Sequence, residues 1–103
     1  MRYEIVLAPE AIDDLARLHR SHRAEVRDAL ETHLRYEPVR TSRSRIKQLR
    51  GLSHPQFRLR IGEIRVFYDI EGDTVQILAV VPKSEAAAWL EQWGEPDETN
   101  TAD

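Results

Sequence analysis

The chain contains no cysteine, so disulfides and thiolate metal sites are both excluded, and a reducing compartment suits it. Glycine is scarce, at four of 103 residues, and no glycine-rich phosphate loop occurs. Long hydrophobic runs are missing too. The longest unbroken ones, Ile77 to Val81 and Ala86 to Leu90, are far short of the ~20 residues that a membrane-spanning helix needs. The opening stretch MRYEIVLAPEA carries Glu4 and Glu10 and lacks an apolar centre, so it is not expected to be a signal peptide. These absences predict a cytoplasmic protein with no membrane partner. His19 and His22 lie three apart at a helix end without a third ligand, and His33 sits beside an apolar stripe, so no metal is expected. No Ser/His/Asp arrangement stands out, and no cofactor is implied.

What is present is an uneven charge. The protein has a formal charge of −3 and a pI near 5.8. Residues 40–65 nevertheless hold eight cations against one acid: Arg40, Arg43, Arg45, Lys47, Arg50, Arg58, Arg60 and Arg65 against Glu63. From residue 85 to the end there are six acids and no cation. A concentrated basic segment in an acidic chain points to one anion-binding surface, and nucleic-acid backbone is the commonest large anion.

A chain of 103 residues makes one domain with one core. Tyr3, Ile5 and Leu7 alternate with Arg2, Glu4 and Val6 as a strand. Pro9 then suits the first turn of a helix whose apolar stripe is Ile12, Leu15, Ala16 and Leu18 or His19. Ser21 is the candidate N-cap of a second helix, in which Val26, Leu30 and Leu34 recur at i, i+4, i+8. The short link makes the two a hairpin. A polar loop, RTSRSR, precedes a short strand over 46–49, and residues 51–55 read as a turn. Three strands follow. Phe57, Leu59 and Ile61 alternate with Arg58 and Arg60; Gly62-Glu63 and Gly72-Asp73 are two-residue turns; and 75–81 is almost continuously apolar, hence internal. A helix over 85–93 ends at Gly94. The expected fold is α+β: an N-terminal strand, a helix hairpin, an antiparallel sheet of three to four strands and a short C-terminal helix. Residues 1–94 form the domain, and 95–103 are expected to be a disordered acidic tail.

The central run resembles the RelE/ParE toxin superfamily of bacterial type II toxin–antitoxin systems. The residues that carry the likeness are Ile46-Lys47-Gln48-Leu49-Arg50-Gly51, then Phe57-Arg58-Leu59-Arg60-Ile61-Gly62-Glu63-Ile64-Arg65-Val66-Phe67-Tyr68, then Val80-Val81-Pro82-Lys83. The resemblance spans roughly residues 1–93. It implies a toxin neutralised by a cognate antitoxin. The RelE branch cleaves mRNA on the ribosome, and the ParE branch poisons DNA gyrase. Arg58 and Arg60 match basic positions on the RelE-like strand, Arg65 matches the arginine that holds the scissile phosphate, and Lys83 matches a basic residue after the last strand. Where a RelE-like tyrosine would stack on the base, this chain has Trp89, which stacks but has no titratable hydroxyl. The His-Tyr ending of some relatives is absent.

Metal-free RNA cleavage needs a base for the 2′-hydroxyl and positive charge at the phosphate. The catalytic set that follows is Arg65, Arg60, Lys83 and Glu85, with Arg45, Lys47, Arg50, Arg58 and Trp89 contacting RNA. Glu63 and His54 are further candidates for the base. Trp89 and Trp93 also suit a core role on their helix. Three functions stay open: a RelE-like mRNA endoribonuclease, a ParE-like gyrase inhibitor without catalysis, and an inactive homologue serving as an interaction module.

Overall fold

The computed structural model describes residues 1–97. In chain order the elements are β1 (Glu4–Leu7), α1 (Pro9–Arg17), α2 (Arg20–Leu34), β2 (Ile46–Gln48), β3 (Leu52–His54), β4 (Phe57–Ile61), β5 (Ile64–Glu71), β6 (Thr74–Pro82), α3 (Lys83–Trp93) and β7 (Glu95–Pro96). Five strands form one sheet in the order β1-β6-β5-β4-β2. The four later strands are antiparallel, as expected, and β1 adds to β6 in parallel, so the sheet is mixed.

The β4–β5 and β5–β6 hairpins turn at Gly62-Glu63 and Gly72-Asp73, with φ of +55° and +60° at the two glycines. Two-residue turns of the kind that matches strand twist need such angles, and glycine adopts them without strain. In β6 the register shifts opposite Phe67 and Tyr68, leaving Leu78 as an extra residue. That bulge explains the continuous apolar run. Val75 and Ile77 face the hairpin side, and beyond Leu78 so does Val80, while Ala79 and Val81 turn to the other side.

The main core lies between the sheet and the helix hairpin. Val26, Leu30 and Leu34 of α2 are buried there with Leu59, Val66, Tyr68 and Ile77. In α1 the buried pair is Ala11 and Leu15, whereas Ile12 is 55% exposed, so the stripe is rotated from the expected one. The N-cap of α2 is His19 rather than Ser21, with the His19 ring nitrogen accepting from the Ser21 amide. A smaller cluster of Phe67, Ala79 and Val81 occupies the opposite face and is covered by Leu49 and by Ala86, Trp89 and Leu90 of α3.

Residues 51–55 are not only a turn, because Leu52–His54 pairs with Glu95–Pro96. The expected acidic tail therefore starts in a short strand. Its remaining part, 98–103, lies outside the described residues.

Candidate nucleic-acid interface

Strand register decides which cations meet. Lys47 stands opposite Arg58, Arg58 opposite Phe67, and Arg60 opposite Arg65. Residues directly opposite in an antiparallel pair share a face. Lys47, Arg58, Arg60 and Arg65 thus occupy the face that does not carry the hairpin, beside the strip that α3 covers. Lys47 and Arg60 are exposed, Arg58 is half-buried, and Arg65 is only 6% exposed. Partial burial, then the charges of Arg65 and Arg60, hold the Arg58 guanidinium below its ordinary pKa. Its Nε is buried without a hydrogen-bond partner. No carboxylate pairs with Lys47, Arg58 or Arg60 among the described residues. Arg65 is engaged instead with its own turn, donating to the Gly62 and Ile64 carbonyls at 2.7 and 3.0 Å.

The remaining predicted residues divide. The Lys83 amide donates to the Glu63 carbonyl at 2.7 Å, which sets both exposed residues at the end of the sheet next to the Arg60–Arg65 pair. Glu85 lines a groove of about 560 Å3 between α1 and α3, together with Glu10, Asp13 and Asp14. Trp89 and Trp93 line the same groove, and Trp89 also stacks on Phe67 with centroids 4.9 Å apart and planes 4° from parallel. One face of the indole is therefore occupied. His54 borders that groove as well, its Nδ1 2.7 Å from Asp69 Oδ2, while Asp69 Oδ1 accepts from the backbone N–H of Gln56. Arg50 is exposed on the turn after β2. Arg45 lines a separate hollow with His33 and Tyr36. Of the three candidate bases, Glu63 alone adjoins the basic row.

Two polar positions escaped sequence reasoning. Asp14 Oδ2 accepts the Val80 amide at 3.0 Å, on the stretch of β6 that extends past β1. No signal marked it, since Asp14 falls three residues from the buried Ala11, while the pattern of the sequence centres the stripe of α1 on Ile12, Leu15 and Ala16. Asp69, which organises His54 and Gln56, left none, because strand alternation alone does not tell a paired aspartate from a solvated one. No group of three or more His, Asp or Glu close enough to hold a metal occurs among the described residues, and no helix there is long and apolar enough to cross a membrane.

A family model for the ParE toxin of type II toxin–antitoxin systems matches residues 5–87. Among solved structures, the toxin–antitoxin complex RelBE2 from Mycobacterium tuberculosis holds a chain 30% identical, with a TM-score of 0.66 over 80% of this chain and 99% of that one. The archaeal RelE–RelB complex from Pyrococcus horikoshii gives 28% identity and a TM-score of 0.60 over 81% and 97%. The YoeB dimer from Staphylococcus aureus, at 18% identity, shares the fold with a TM-score of 0.57 over 77% and 94%. No curated protein sequence gives a significant match.

Proposed function

The chain belongs to the ParE toxin family of type II toxin–antitoxin systems, and from that premise we propose that it blocks translation as a RelE-like endoribonuclease acting on ribosome-bound mRNA. The observation that supports this is the unneutralised row Lys47, Arg58 and Arg60, which ends beside Glu63 and Lys83. In this reading the row grips successive phosphates, arginine matching them with paired N–H donors. Arg60 faces the scissile phosphate. Glu63 accepts the proton of the 2′-hydroxyl as that oxygen attacks phosphorus, and the 5′-oxygen leaves as an alcohol with a proton from Lys83. Arg65 holds the turn that carries Glu63. The cognate partner is an antitoxin, since the similar solved structures include toxin–antitoxin complexes.

A second reading draws on the family match itself and on the dispersal of Glu85 and His54 away from the row: a ParE-like inhibitor of DNA gyrase without catalysis. Primer extension on mRNA from expressing cells separates them. Ribosome-dependent cleavage by the wild type, falling roughly 100-fold in Arg60→Ala, is the expected result. Blocked supercoiling by gyrase without mRNA cleavage establishes the second reading, and neither effect leaves an interaction module.

A further inference from the structure

A second concave surface lies on the other side of the edge strand β2. Thr32 and His33 of α2, Tyr36 beyond its end, and Arg40, Ser42 and Arg45 of the following loop line a hollow of about 460 Å3. The loop is fixed locally. The Ser42 amide donates to the Ile46 carbonyl at 3.0 Å, and Ser42 Oγ accepts the Arg45 amide at 3.0 Å. Glu37, the one carboxylate that lines the hollow among the described residues, is already paired with Arg40 at 3.0 Å. Arg45 has no ion-pair partner among the described residues. Partial burial, and then the charge of Arg45, push the His33 imidazole below its usual pKa. His33 and Arg45 thus line one hollow, and neither has an ion-pair partner among the described residues. Tyr36, at the rim, is 60% exposed.

The hollow adjoins the basic row. Lys47 follows Arg45 by two residues, about 7 Å along an extended chain, and faces Arg58 on the sheet surface. β2 is the last strand of the sheet, so nothing from the sheet stands between the two surfaces.

We propose that this hollow is a second phosphate subsite, which carries a single RNA strand from the arginine row around the β2 edge and stacks one base on Tyr36. The inference rests on the RNA reading above. A phosphate placed there neutralises Arg45 and favours protonated His33, which couples RNA binding to proton uptake at that ring.

The test uses the full chain with single-stranded RNA of about twelve nucleotides, against one of about three that covers the row alone. Binding of the longer RNA should raise the His33 pKa by about one unit, read by imidazole NMR, and the short RNA should leave it unmoved. The double variant Arg40→Gln/Arg45→Gln should lower the slope of log K against log salt for the longer RNA by about 0.7, the share of one phosphate contact on a single strand, without change for the short one. Tyr36→Ala should weaken the longer RNA about tenfold. If the longer RNA binds and Arg60→Gln weakens it, but His33 and the salt slope do not respond, the subsite is refuted and the RNA reading stands. If neither RNA binds, both fall. If an oligoglutamate peptide moves His33 and RNA does not, the hollow takes protein, and the proposal is overturned.

Discussion

Arg65 shows how burial redirects a side chain whose sequence position suggests a ligand. Its guanidinium closes its own turn through Gly62 and Ile64 and is almost entirely covered. Arg65→Ala should therefore lower stability by about 1–3 kcal/mol, measured by urea unfolding, because a part-buried and a buried carbonyl lose this donor. Arg60→Ala, exposed and opposite it, should stay within about 0.5 kcal/mol of wild type. Tyr68 is fully buried and its hydroxyl donates to the Pro38 carbonyl at 2.6 Å, which ties β5 to the end of the helix hairpin. Burial pushes its pKa upward. An acid whose folded pKa is raised contributes its full stabilisation below its unfolded value, ~10 for tyrosine, and loses it as pH climbs above that. Tyr68→Phe should cost about 1 kcal/mol at neutral pH and should reduce the loss of stability above pH ~10, followed by unfolding across an alkaline series.

Among the helices, α3 is the least anchored. None of its residues is fully buried, and it rests on the Phe67 cluster mainly through Trp89 and Leu90. Segments with few buried contacts open by sub-global steps well below the global unfolding energy. Amides of α3 should exchange faster than those of β5, and Trp89→Ala should speed α3 further while leaving β5 protected; equal protection of both would refute a separable α3. The elements that were legible have strong local signatures. β4 alternates cleanly, glycine turns bound β5 at both ends, and α2 repeats Val26, Leu30 and Leu34. β3 and β7 were not, because strands of three and two residues show no period and their pairing joins positions over forty residues apart. The stripe of α1 was misplaced because Ile12 looks like a core residue and Ala11 does not, yet the sheet admits the smaller side chain.

Over the whole molecule, charge is sorted by place rather than by total. The basic cluster was plain in the sequence, but its division was not: Arg45 turns into a hollow under α2, Glu85 joins the acids beside α1, and Lys47, Arg58 and Arg60 form the row. Loop conformation and strand register make that division, and neither can be read from composition. A net charge of −3 should keep the protein on an anion exchanger at neutral pH. The same protein should also be held by heparin at low salt, because a polyanion responds to the local field within a Debye length, ~10 Å at 0.1 M salt. Lys47→Gln/Arg60→Gln should elute from heparin at clearly lower salt. Arg20→Gln/Arg27→Gln, which removes the same charge from exposed positions on α2, should elute close to wild type. Equal shifts for the two pairs would show that net charge governs retention and that the row is no preferred binding surface.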